Sequence, residues 1–290
     1  MQYREEARDQ SSTETSERCR DKHTKKGKRQ VLSGRTFAGT RCGIEFFGHD
    51  HVLFGTYAGT EVKVGGKPLL WHVMKIYAAH GITDVVICCG FKGYVIKEYF
   101  ANYFLHMSDV TFDMAKNTME VHQRNAEPWK VTLVDTGEKT QTGGRLGRVR
   151  EHLNGTFFLT YGDGVGDVDI AATLAFHRKE ARQATVTAVQ PPGRYGALEI
   201  EQGAVRSFKE KPAGDGAFIN GGFFVLEPSV LDLITGEDCI WERGPLETLA
   251  ARGQLSAYQH RGFWQPMDTL REKNLLEELW ASGRAPWKKW

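Results

Sequence analysis

Two acids, each placed at the end of an apolar run, are where this sequence could do chemistry. Phe157-Phe158-Leu159-Thr160-Tyr161 leads directly into Gly162-Asp163-Gly164. Ligands of open α/β sheets gather at the carboxyl ends of strands, and glycines beside the acid let a phosphate-bearing ligand approach the backbone. Phe263-Trp264-Gln265-Pro266-Met267-Asp268 repeats the theme, apolar residues and then an acid that opens a helix. Each acid also has a plainer reading. Asp-Gly is a common turn pair, and Asp268 is suited to cap the helix behind it.

Three further segments point the same way. Thr142-Gly143-Gly144-Arg145 reads as the end of a loop, with a helix starting at Arg145. Free N–H groups, a glycine pair and a guanidinium there suit a polyphosphate. Glu210-Lys211-Pro212 sets an acid beside a base at the close of a hairpin. Asn220-Gly221-Gly222 precedes an apolar strand, offering donor and acceptor groups next to glycines that permit close approach. Singly, each is a turn or a cap. Together they suit a Mg²⁺-assisted phosphoryl or nucleotidyl transfer, in which positioned charge does the work. A metal-dependent sugar transfer, with Asp163 paired to Asp167 or Asp169, is the alternative chemistry, and a non-catalytic sugar-nucleotide-binding subunit the alternative role.

These residues need an alternating frame, and the pattern predicts one. Val85–Gly90 is a continuous apolar run of the kind buried on both faces of a sheet. Helical spacing precedes it over Leu69–His80 and follows it over Tyr94–His106. Lys130–Asp135, Thr156–Tyr161, Ala184–Val189 and Phe223–Leu226 read as further strands, and Ile170–Ala181 and Leu270–Ser282 as helices. Val110–Met114 with Thr118–His122, and Ala197–Ile200 with Val205–Lys209, read as hairpins. The expectation is an α/β fold, a mainly parallel Rossmann-like sheet with helices on both faces and antiparallel hairpin insertions.

Composition narrows the classes. A formal charge of +2 demands neither nucleic acid nor an acidic membrane as partner. No run reaches the roughly 18 apolar residues of a membrane span, and the start lacks the apolar centre of a signal peptide. Residues 1–30 are rich in charge and poor in large apolar side chains, which reads as a disordered tail ahead of a single domain over 31–290. Five cysteines without framework spacing argue against a disulfide scaffold and for the reducing cytoplasm. Cys88 and Cys89, inside an apolar run, read as core thiols.

Gly65-Gly66-Lys67-Pro68 with Leu69–Lys75, the run from Tyr94 to Val110, Val131–Gly137, Tyr161–Val165, Ile219–Leu226 and Phe263–Leu270 closely resemble the glucose-1-phosphate cytidylyltransferase branch of the sugar nucleotidyltransferase family. The resemblance runs from about residue 62 to the C-terminus. It implies a Mg²⁺-dependent reaction of CTP with α-D-glucose 1-phosphate, giving CDP-glucose and pyrophosphate, for CDP-linked deoxysugars of surface polysaccharides such as O-antigen. It also implies a homo-oligomer. By the same resemblance Asp163 and Asp268 hold the metal, and Thr140, Arg145 and Gly162 contact the nucleotide. Glu210, Lys211, Asn220 and Gly221 hold the sugar phosphate, and Arg145 and Lys211 take catalytic parts. No nucleophilic side chain is required. His72, His80 and His106 read as packing or surface residues.

The resemblance fails in front of residue 62. Relatives begin with a strand and a Gly-rich phosphate loop, whereas Val31–Arg41 keeps only a strand-like start and a Gly-Thr-Arg. Either the stretch has diverged, leaving a weakened or inactive enzyme, or residues 1 to about 61 come from a wrong upstream reading frame. A lost first strand is expected to leave the centre of the sheet poorly filled. His49-Asp50-His51 has no third ligand at matched spacing to make a metal site.

Overall fold

An apolar run with no alternation makes a strand buried on both faces, and Asp84–Cys89 behaves so. Val85, Ile87 and Cys89 join one core cluster, while Val86 and Cys88 join the other. The computed structural model describes residues 52–55, 63–122, 126–191, 197–201, 204–209 and 217–290. All of these fall in one compact unit, Phe46–Trp290. The charged tail, the altered loop at 31–41 and His49-Asp50-His51 lie outside the described residues.

In chain order the strands are β1 (Val52–Gly55), β2 (Lys63–Val64), β3 (Lys67–Pro68), β4 (Asp84–Cys89), β5 (Val110–Asp113), β6 (Thr118–Val121), β7 (Lys130–Asp135) and β8 (Phe157–Tyr161). They continue as β9 (Gly164–Gly166), β10 (Ala184–Val189), β11 (Ala197–Glu201), β12 (Ala204–Lys209), β13 (Ile219–Leu226), β14 (Leu255–His260) and β15 (Trp264–Pro266). The helices are α1 (Leu69–Ala78), α2 (Gly93–Ala101), α3 (Tyr103–Met107), α4 (Thr142–Arg148), α5 (Ile170–Glu180), α6 (Gly244–Ala251) and α7 (Leu270–Ala281).

Among the described residues the main sheet has seven strands in the order β14-β10-β13-β8-β1-β4-β7. Pairings are parallel throughout except where β13 runs against its neighbours β8 and β10. Buried residues of α1, α2, α5 and α7 join one core cluster, and those of α4 and α6 join the other. The predicted fold class therefore holds, including the β5–β6 and β11–β12 hairpins. No helix among the described residues is long and apolar enough to cross a membrane.

Two expectations are corrected. The centre of the sheet does not lack a strand, because β1, four residues ahead of the family-like sequence, pairs in parallel with both β4 and β8. The helix expected over Tyr94–His106 is two helices, broken at Asn102, whose φ of −99° and ψ of 9° leave the helical basin. Cys88 and Cys89 are buried core thiols as expected, and burial pushes the Cys88 thiol up to about 12. His72 is wholly buried among Trp71, Trp280 and Trp287, a packing residue. Its Nδ1 accepts from the Trp287 indole at 3.4 Å, so Nε2 carries the proton given to the Val64 carbonyl at 2.8 Å.

Candidate active site

The parallel strands β4, β7, β8 and β10 all end at one edge of the sheet, and the antiparallel β13 begins there. At that edge β8 passes through Gly162 to Asp163, and the chain returns as β9. β9 then pairs antiparallel with β15, matching Gly164 to Pro266 and Gly166 to Trp264. One step beyond the ladder, the Met267 N–H donates to the Asp163 carbonyl at 2.7 Å. The ladder thus carries Asp268 to the side of Asp163, although they lie far apart in sequence.

Asp268 is not the helix cap that its position suggested. Thr269 caps α7, its hydroxyl accepting from the Glu272 N–H, while the Glu272 carboxylate accepts from the N–H groups of Asp268 and Thr269. This reciprocal capping box leaves the Asp268 carboxylate unused by the helix. Asp163 is half-buried, and burial, with the Asp268 charge second, holds its carboxyl above the ordinary range. Among the described residues no basic side chain pairs with either acid. Two close carboxylates without a cation fit a Mg²⁺ ion, which is commonly held by one or two carboxylates with phosphate oxygens and water completing the shell. Among the described residues no group of three or more His, Cys, Asp or Glu converges as an all-protein metal cage.

The other candidate acids are otherwise engaged. Asp167 accepts from the Phe263 N–H at 2.7 Å and lies 3.1 Å from His260 Nε2. Asp169 caps α5, accepting from the Ala172 N–H. Neither completes the Asp163 pair required by the sugar-transfer alternative.

A cavity of about 540 Å³ opens beside Asp163, lined among others by Thr140, Arg145, Tyr161 and Glu242. Arg145 is 6% exposed, and its guanidinium donates to Thr136 Oγ1 at 2.7 Å and to the Glu138 carbonyl at 3.3 Å. No carboxylate pairs with it among the described residues, so a buried cation stands ready for an anion. Gly90 makes room for it, since a Cβ there would lie 2.2 Å from Arg145 Nη1. Thr140 is nearly buried in the same wall, and Gly162 is buried between Tyr161 and Asp163.

The glycine pair ahead of Arg145 does something other than expected. α4 begins at Thr142, so both glycines are helical, and their N–H groups donate to the Cys239 carbonyl at 2.9 and 3.1 Å. A Cβ at Gly144 would lie 2.3 Å from the Glu237 carbonyl oxygen. The pair lets α4 press against 237–239 and offers no free N–H groups to a ligand.

A smaller cavity of about 190 Å³ adjoins Asp163 and Asp268 on the other side, lined also by Asn220, Gly221 and Trp264. Asn220 Oδ1 accepts from the Gly222 N–H at 2.8 Å, and the Gly221 carbonyl accepts from the Trp264 indole at 2.8 Å. Glu210 and Lys211 lie outside the described residues. Sequence reasoning missed Thr136, Tyr161 and Glu242. Only Tyr161 had a local signal, its place at a strand end beside Asp163.

A sequence model of the family described as "Nucleotidyl transferase" matches residues 56–247. The glucose-1-phosphate cytidylyltransferase of Salmonella typhi is 64% identical over 231 residues, covering 79% of this chain and 90% of the relative. A probable glucose-1-phosphate cytidylyltransferase of Bacillus subtilis is 39% identical over 231 residues, 78% of this chain and 89% of the relative. Among solved structures, HddC from Yersinia pseudotuberculosis superposes with a TM-score of 0.58 at 18% identity, covering 80% of this chain and 99% of that one. At that identity the superposition speaks for the fold alone.

Proposed function

The chain belongs to the nucleotidyl transferase family, and from that premise we propose that it joins CTP to α-D-glucose 1-phosphate, releasing pyrophosphate and CDP-glucose. The observation that carries the reading is the adjacent acids Asp163 and Asp268, unpaired with a basic side chain among the described residues, with Asp163 lining both cavities and Asp268 the smaller, in a chain so similar to cytidylyltransferases. A phosphate oxygen of the sugar phosphate attacks the α-phosphorus of CTP. The new P–O bond forms as the bond to the β-phosphate oxygen breaks, and pyrophosphate leaves with the electron pair.

Both reactants are anions, so the protein's task is to hold them in line and offset their charge. In this reading Arg145, with Thr140 and Gly162 beside it, meets the triphosphate from the larger cavity. Asn220 and Gly221 line the smaller cavity, where the sugar phosphate sits, and Glu210 and Lys211 are assigned to the same substrate by the family resemblance alone. Asp163 and Asp268 would hold Mg²⁺, which supplies charge neutralisation at the transferring phosphate. Arg145 and Lys211 are the basic groups assigned to stabilise developing charge. The reading also takes in a cytoplasmic homo-oligomer that supplies surface-polysaccharide synthesis. The large apolar side chains exposed at Tyr94, Phe104 and Phe112 support its oligomeric part.

Substrate choice tests the reading. The full chain is incubated with Mg²⁺, glucose 1-phosphate and each of CTP, UTP, dTTP and ATP in turn, and pyrophosphate and nucleotide sugar are measured. Pyrophosphate with CDP-glucose from the CTP reaction is expected. Sugar transfer from a nucleotide sugar without pyrophosphate, or CDP-glucose binding with no turnover, would overturn it.

A further inference from the structure

Among the described residues, Tyr161 and Asp163 are the two that line both cavities of the cleft. Asp163 has an evident use there, and Tyr161 has none so far. Its ring rests on Gly222, which sits at a φ of +76° and where a Cβ would come within 2.9 Å of Tyr161 Cδ2. On its inner side it meets Phe224 edge-on at 5.9 Å. Its hydroxyl donates to the Glu242 carboxylate in a short hydrogen bond.

The second oxygen of Glu242 accepts from the Thr142 hydroxyl at 2.7 Å, and that hydroxyl accepts in turn from the Trp241 N–H at 2.9 Å. Because the Trp241 N–H must donate, the Thr142 hydroxyl proton is committed to Glu242. One carboxylate therefore bridges the end of β8 and the first turn of α4, the helix that carries Arg145. The bridge consists of two charge-assisted bonds, the stronger class of hydrogen bond. Burial and Glu242 together also hold the Tyr161 phenol far above its ordinary range, so it stays a neutral donor.

We propose that Glu242 is a positioning residue that fixes Tyr161 as the partition between the nucleotide cavity and the sugar-phosphate cavity. The assignment rests on the function proposed above. With the hydroxyl tethered, the ring forms a fixed wall on one side of the smaller cavity and keeps the two anions on separate approaches to Asp163. Without the tether the ring is held by packing against Gly222 and Phe224, with the Asn220 side chain still beside its hydroxyl. The sugar phosphate then loses one side of its seat, while Arg145 keeps its own bonds to Thr136 and Glu138.

A double-mutant cycle tests this with Tyr161→Phe, Glu242→Ala and the pair, measured on the full chain with Mg²⁺. KM for glucose 1-phosphate, KM for CTP and kcat are read, with Kd values from calorimetry. Tyr161→Phe should raise KM for glucose 1-phosphate by about 10-fold and leave KM for CTP within about two-fold, the size expected from one hydrogen bond to a charged acceptor. The double variant should be no worse than the worse single variant, since each single variant already removes the Tyr161–Glu242 bond. A merely structural role would lower melting temperature and shift all constants together. Unchanged constants in Tyr161→Phe, or effects that multiply in the double variant, overturn the partition while leaving the function standing. A wild-type chain that neither turns over nor binds CTP or glucose 1-phosphate overturns the function, and the partition with it.

Discussion

Met267 gives its backbone N–H to the carbonyl of Asp163 at 2.7 Å, and this bond extends the short β9–β15 ladder to the point where two acids meet. Position is thus set by main chain rather than by side-chain packing. Among the described residues, neither carboxylate is taken up by a basic side chain, which suits a metal pair. It follows that either acid can be replaced by its amide without disturbing the frame.

Asp163→Asn or Asp268→Asn should therefore lower pyrophosphate release by about a thousandfold or more, the scale on which metal-held transfers depend on their ligands. Far-ultraviolet circular dichroism should be unchanged. A rate like the wild type in either variant contradicts the two-acid assignment.

The raised carboxyl of Asp163 gives a pH signature. A proton on it competes with a divalent cation, so turnover should fall on acidification at a higher pH than an ordinary exposed carboxylate would give. Raising Mg²⁺ should move that limb downward. The sign for stability is opposite: the metal-free folded chain holds this proton to a higher pH than the unfolded chain does. Stability from this group therefore falls as pH rises from the ordinary carboxylate range through the raised value. Asp163→Asn should remove that loss and raise the metal-free melting temperature at neutral pH by about 2 °C.

A Cβ at Gly90 would overlap the Arg145 guanidinium, which would have to shift. Gly90→Ala should push the guanidinium off Thr136 and weaken CTP binding by about 10-fold, with calorimetry as the measurement. Arg145→Lys should do at least as much, because an ammonium cannot keep both bonds and also present a planar fork to phosphate. CTP affinity unchanged in both variants would remove Arg145 from the nucleotide site.

His72 makes the fold sensitive to acid. Burial holds its imidazole down to about 4, so the unfolded chain takes up a proton that the folded chain refuses. Stability is then lost as pH falls from about 6.5 toward 4, by about 3 kcal/mol in all. Urea titrations across that range should show the slope, and His72→Phe should flatten it. An equal slope in both proteins would place the acid sensitivity elsewhere.

The fold was largely legible because strands and amphipathic helices announce themselves by period. Val85–Cys89 and Leu69–Ala78 matched their expected elements to within a residue or two. Asp163 could be found by its place at a strand end, and Asp268 by its place before a helix. What the sequence hid was partnership. That Thr269 rather than Asp268 caps α7, and that Gly143 and Gly144 give their N–H groups to Cys239, depends on chain segments meeting from far apart. Glu242 was hidden for the same reason, since nothing around Trp241-Glu242-Arg243 marks it until Tyr161 and Thr142 are seen to share it. The central strand was hidden differently. β1 follows sequence unlike that of the family, yet four residues of apolar character suffice to pair with both β4 and β8.

Phosphorus NMR on the full chain with CTP, glucose 1-phosphate and MgCl₂ tests the central claim most directly. The account predicts that the triphosphate signals give way to those of a sugar-linked diphosphate and free pyrophosphate in equal amounts, with none of this after Asp163→Asn. Persistence of CTP, its hydrolysis to CMP without CDP-glucose, or equal conversion by the Asp163→Asn variant would contradict it.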